Sequence, residues 1–130
     1  MRGIRGKSRK FYQKLATEVL TYVDWELYAY SKEAGTKITR MAHWLQVEKS
    51  SGIQPKGLKE KPEKPENASY IFDLYSEIKK GAEKVGYREI QAYQDVTGDR
   101  LSRFESSVIL QIDILRREHA RRHSKASHSD

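Results

Sequence analysis

An all-α fold is predicted by three features of this sequence. Apolar residues recur every three or four positions along several stretches, residues that favour helix caps stand at the ends of those stretches, and no segment of any length alternates apolar with polar. Together they give about five helices. An N-terminal two-helix half and a C-terminal three-helix half with a helix-turn-helix-like hairpin are joined by a Pro/Lys/Glu linker. The expected divisions are residues 1–49 (a helical hairpin with a basic arm), 50–67 (a flexible linker), 68–123 (the three-helix unit) and 124–130 (a disordered tail).

The first helix is expected from about Ser8 to Ala34. Phe11, Leu15, Val19 and Tyr22 form one stripe and Leu20, Val23, Leu27 and Tyr30 an adjacent one, so its apolar face is wide. Gly35 ends it and Thr36 can cap the next. Ile38, Met41, Ala42 and Leu45 fall at i, i+3, i+4 and i+7, a second helix reaching about Glu48. Trp44 lies off that stripe, either on a second packing surface or as an exposed anchor for a partner. All three prolines fall between Ser50 and Asn67, beside the mixed-charge run Lys59–Glu66, a composition that buries too little apolar surface to offset ordering entropy.

Asn67 or Ser69 can cap the third helix, where Ile71, Leu74, Tyr75 and Ile78 form a stripe with Phe72 beside it. It stops near Gly81. The fourth helix runs from Tyr87 to Thr97, with Ile90, Tyr93 and Val96 on one side. Gly98 then stands where a helix C-terminus favours a left-handed residue. Ser102 and Glu105 have capping-box spacing and open the fifth helix, whose stripe is Phe104, Val108, Ile112 and Leu115. That helix is expected to fray within Arg116–His123.

Hydrophobic residues make up 37% of the 130 positions and charged residues 33%, so the core is modest and burial should be completed by a partner or by self-association. No window approaches the roughly 18 consecutive apolar residues of a membrane span, and no apolar run follows the basic N-terminus as in a secretory signal. With no cysteine there is neither a disulfide framework nor a thiolate metal site. A cytoplasmic protein is the expectation. The net charge of +7 is uneven: residues 1–66 carry 14 Lys/Arg against 8 Asp/Glu, a net +6. Arg2, Arg5, Lys7, Arg9 and Lys10 cluster at one end, and Arg116, Arg117, Arg121, Arg122 and Lys125 at the other. Such ends suit nucleic acid, or serve only as solubilising tails.

Catalytic and metal chemistry find little support. His119 and His123 share a helical face, with Glu118 or His128 as the only nearby third ligand, and the surrounding arginines repel a cation. His43 has no carboxylate placed near it, no serine sits in a nucleophile elbow, and there is no glycine-rich phosphate loop. No enzyme and no cofactor are expected. Asp113 interrupts the fifth helix between Ile112 and Ile114. One reading makes it a surface charge paired with Arg116 or Arg117. The other has it at the hairpin junction, accepting hydrogen bonds from the fourth helix or its turn. The first is favoured, since an unpaired buried carboxylate is costly.

A DNA-reading hairpin would offer cationic or amide side chains from the first turn of its second helix. Arg100 and Arg103 qualify, and Arg116, Arg117, Arg121 and Arg122 would add phosphate contacts. Glu105, Asp95 and Asp99 oppose that role, and the apolar second helix suits packing against protein. A nucleic-acid-binding regulator or packaging component is therefore the alternative.

The same hairpin carries a family likeness. Tyr87, Glu89-Ile90, Ala92-Tyr93, Thr97-Gly98, Leu101, Phe104-Glu105 and Ile112-Asp113, with the apolar helix Tyr70–Ile78 upstream, resemble the phage tail assembly chaperones over about residues 70–115. In that family the aromatic positions are often tryptophan. The resemblance implies a non-enzymatic protein of the infected host's cytoplasm that coats the tape-measure protein, keeps it soluble, helps recruit tail-tube subunits and is absent from the finished virion. Some members are extended by ribosomal frameshifting. A homo-oligomer is compatible with it, and a structural head–tail protein is a further alternative. Tyrosine-rich faces supply contact area at low entropic cost. The candidate client-facing residues are therefore Phe11, Tyr22, Trp25, Tyr28 and Trp44, with Tyr70, Tyr87 and Tyr93, core packing being the alternative for each.

Overall fold

The structure, a computed structural model, describes residues 9–33 and 35–128, without the side chains of 67 and 123–128. The expected helix bounds Ser8 and Ala34, the basic residues Arg2, Arg5 and Lys7, the Asn67 cap and the His123 imidazole lie outside what is described. Among the described residues there are six helices: α1 (Arg9–Ala29), α2 (Arg40–Ser51), the single turn α3 (Lys56–Lys59), α4 (Ser69–Lys79), α5 (Tyr87–Thr97) and α6 (Arg103–His128). A 3-10 turn at Glu66–Ala68 precedes α4, and one isolated bridge joins Lys32 to Thr39. The fold is all-α, as the periodicity requires.

Contacts divide the chain into two compact units, residues 1–20 with 64–114 and residues 21–63 with 115–130. In the first, Leu15 and Val19 of α1, Ile71, Leu74, Tyr75 and Ile78 of α4, Val85, Ile90 of α5, and Val108, Ile109 and Ile112 of α6 form the core. Apart from Val85, in the turn before α5, these lie on the apolar faces of their helices, and each fully buried Ile or Val contributes about 1.5–3 kcal/mol. Tyr12 and Phe104 meet at a tilt with ring centroids 4.9 Å apart.

In the second unit Val23 and Ala29 are buried, and the connection from α1 to α2 is held by polar groups. α1 ends at Ala29, before the expected Gly35, because the Ser31 hydroxyl donates to the Tyr28 carbonyl and the Ser31 carbonyl accepts the Arg40 N–H at 2.9 Å. The same pairing draws residues 36–39 out of the helix. The Thr36 hydroxyl bonds the carbonyls of Glu33 and Ile38, and it is Thr39 that caps α2, accepting the Ala42 N–H at 3.1 Å. Residues 50–67 hold α3, which starts after Pro55, and the 3-10 turn after Pro65.

α5 has the bounds that its pattern predicts, Tyr87–Thr97, and closes on Gly98 at φ 76°, a backbone that a side chain resists. The capping box forms as well: Glu105 Oε1 accepts the Ser102 N–H at 2.7 Å, and Ser102 Oγ accepts the Glu105 N–H at 3.1 Å. Leu101 N–H bonds Gln94 Oε1 at 2.9 Å, tying the turn back onto α5. Helix α6 continues through Arg116–His123, where fraying was expected, as far as His128.

Candidate functional site

The second unit contains a cluster of aromatic rings and cations built on α1, α2 and α3. Trp25 and Tyr28 lie three apart on α1, so they share a face, and Trp44 of α2 reaches both, with centroids 6.3 and 6.1 Å away. Arg40, one turn before Trp44, lays its guanidinium 4.4 Å from the Tyr28 ring centre, and Lys61 Nζ stands 5.7 Å from that of Trp25. The Trp25 indole donates to the Gly57 carbonyl at 3.1 Å. A Cβ at Gly57 would come within 2.3 Å of the Trp44 ring, so only glycine lets the α3 backbone approach the indole this closely.

This arrangement decides which side of α2 faces inward. Arg40, Trp44 and Val47 are half-buried, whereas Ala42 and Leu45, on the stripe that defined the helix, are exposed. No residue of α2 is buried. Ile38 is 45% exposed, Leu45 51% and, just beyond the left-handed C-cap Gly52, Ile53 68%. Of the two readings of Trp44, the structure shows the packing surface. The helix thus turns Trp44 and Val47 inward and leaves Ala42 and Leu45 exposed. Nearby, Glu26, Leu27, Tyr30, Ser31, Arg116, His119 and Ala120 line a groove of about 500 Å³ in the same unit.

In the first unit the polar centre is Asp113, and here the favoured reading is corrected. Its carboxylate is fully buried, so it is not the surface charge of that reading. Oδ1 accepts the Tyr75 hydroxyl at 2.7 Å, Oδ2 accepts the Val85 N–H at 3.0 Å, and Lys79 Nζ lies 3.6 Å away. The carboxylate ties α4, the turn before α5 and α6 together. Spacing along α6 carried no sign of this, because two of these three groups lie on α4 and the third in the turn before α5. The penalty that argued against burial is met by two hydrogen bonds and a nearby ammonium.

The other residues singled out from sequence separate into engaged and exposed sets. Ile90 is buried, and Glu89 Oε1 accepts the Gly86 N–H at 2.7 Å, so Glu89 caps α5. Thr97 Oγ1 donates to the Tyr93 carbonyl, and the Tyr93 hydroxyl donates to Asp99 at 3.3 Å. Phe11 meets Tyr12 edge-on, and Tyr22 and Tyr70 are half-buried. Burial, with the Glu26 carboxylate beside it, raises the Tyr22 phenol above its usual range. Of the expected client-facing aromatics only Tyr28 and Tyr87 are largely exposed, at 48% and 77%. Arg100, Arg103, Arg116, Arg117, Arg121 and Arg122 are all exposed, as is His43. Among the described residues no group of three or more His, Asp or Glu is placed to hold a metal, and no helix is long and apolar enough to cross a membrane.

Fold and site define a small all-helical protein with an aliphatic face turned outward over an aromatic layer. The chain belongs to the phage tail assembly chaperones, whose family model matches residues 47–118, over half of its length. The match starts in α2, upstream of the likeness read from the hairpin, and takes in Lys49, Ile53 and Gly57 as well as Asp113. No curated protein and no solved structure matches the chain.

Proposed function

We propose that this chaperone binds the tape-measure protein of its phage in the host cytoplasm, keeps that protein soluble and helps recruit tail-tube subunits, without catalysing a reaction. The observation that carries the reading is the aliphatic surface of α2 and its flanks, where Ile38, Leu45 and Ile53 remain open to solvent. A long apolar client with helical stripes is covered by helices that offer such surfaces together with a charged exterior. Family membership supplies the tail-assembly setting.

Co-expression tests it. The tape-measure protein made alone should collect in the pellet, and made with this chain it should stay in the supernatant and co-purify. A tape-measure protein that stays in the pellet despite abundant folded chaperone would sink the proposal. Duplex DNA should bind weakly and be released by moderate salt, as non-specific phosphate contacts are. A sequence-specific footprint at physiological salt would instead support a regulator or packaging component.

A further inference from the structure

We infer that α2 and the turns at its two ends form a docking surface for an amphipathic helix with an acidic rim. The inference rests on the client-binding reading above and names the surface and the chemistry of the client segment. Its apolar part is Ile38, Leu45 and Ile53, exposed by 45, 51 and 68%, with Ala42 beside Leu45 on the same helical face. Its charged part is Lys37, beside Ile38, Lys49, one helical turn after Leu45, and Lys56, which opens α3 three residues after Ile53, each exposed. Residues 35–61 carry six Lys/Arg against two Asp/Glu, a net positive segment even though Arg40 and Lys61 lie over the Tyr28 and Trp25 rings and Lys56 pairs with Glu60 at 3.7 Å. Glutamates flanking a leucine stripe complement both features at once, the aliphatic contact supplying affinity and the charges orientation and encounter rate.

The surface is also preorganised. Thr39 caps α2 at its start, Gly52 closes it in a left-handed conformation, and Trp44 is held from behind by Trp25, Tyr28 and the close-packed Gly57. Less ordering entropy is then lost when a helix docks. A membrane surface fits less well, because interfacial helices turn tryptophan and phenylalanine toward the lipid. Here Trp25 and Trp44 are turned toward each other. Nucleic acid fits less well still, since an aliphatic strip offers no stacking platform for bases.

The test uses the full chain and two labelled model peptides of about 20 residues, long enough to form a helix. One has a leucine stripe with a glutamate rim, the other the same stripe with a lysine rim, and binding is read by fluorescence anisotropy. The glutamate peptide should bind at least about tenfold more tightly, and its advantage should shrink as salt rises. Leu45→Glu or Ile53→Glu should each weaken it by about tenfold. Val96→Glu, at an exposed apolar position of α5, should leave binding unchanged. Circular dichroism of each variant verifies the fold. Equal affinity for the two peptides, or a Leu45→Glu protein that binds as the parent does, overturns the inference. So does binding to phosphatidylserine vesicles that Leu45→Glu abolishes, which would make the face a membrane contact. If the tape-measure protein is not solubilised while peptide discrimination persists, the client assignment fails and the surface stands. The opposite pair of results removes the surface and leaves the function.

Discussion

Twelve of the fourteen hydrophobic residues buried among those described lie in the unit formed by residues 1–20 and 64–114, and only Val23 and Ala29 belong to the other. The first unit is closed by aliphatic packing around the hydrogen-bonded Asp113 carboxylate. The second relies on half-buried aromatic rings, two cations over their faces and a glycine that lets the backbone approach. An aliphatic core of this kind is costly to disturb. An aromatic layer one residue deep stabilises less, but it holds α2 in place while leaving the helix's aliphatic side exposed. Apolar burial is concentrated in the first unit, whereas the exposed aliphatic residues around α2 belong to the second.

The largest effect that would test this contrast is expected at Asp113. Asp113→Ala removes the buried acceptor of the Tyr75 hydroxyl and the Val85 N–H and leaves Lys79 without its carboxylate, and should cost about 3 kcal/mol in urea unfolding. Asp113→Asn should cost clearly less, because the amide can still accept from Val85 and donate to the Tyr75 oxygen. A loss for the alanine variant no greater than for a surface substitution would erase the difference between the units. Next comes Gly57→Ala, which must push the Trp44 ring aside at a cost of about 1–3 kcal/mol. Tryptophan fluorescence should report it directly, since both tryptophans lie in the cluster. Unchanged emission would mean that α3 does not brace the rings.

Gly98→Ala should cost about 1 kcal/mol, because its positive φ resists a Cβ although the space beside it is open. It should leave the peptide-binding surface intact, as a change confined to the first unit would. The smallest effect belongs to Tyr22. Its phenol is raised from 10.0 by burial and by Glu26, so the neutral form is favoured in the folded protein. The associated stability is therefore present below pH 10 and is lost as pH climbs through the raised value. Absorbance near 295 nm should show a late-titrating tyrosine that Tyr22→Phe removes.

The elements that were legible in the sequence are those governed by neighbours three or four residues away. The bounds of α5, the left-handed stop at Gly98, the Ser102–Glu105 box and the stripes of α4 and α6 all follow from local spacing and backbone sterics. Thr36 shows where local chemistry misleads. It is a competent cap, yet the Ser31–Arg40 pairing draws it out of the helix and leaves Thr39 to serve. Residues 70–115 carried enough of the hairpin pattern to reveal the family, because those positions are the capping and core residues of one contiguous segment.

Read alone, the sequence determined the helical class, the hairpin and its caps. Tertiary structure decided which side of α2 faces solvent and whether Asp113 is a surface charge or the centre of a core. The physical reason is distance along the chain. Asp113 is satisfied by groups 38 and 28 residues away, and the Trp25 indole by a carbonyl 32 residues on, so no local period encodes them. Periodicity shows that a helix has an apolar stripe. Whether that stripe is buried, or left exposed for another protein, depends on what the rest of the chain brings against it.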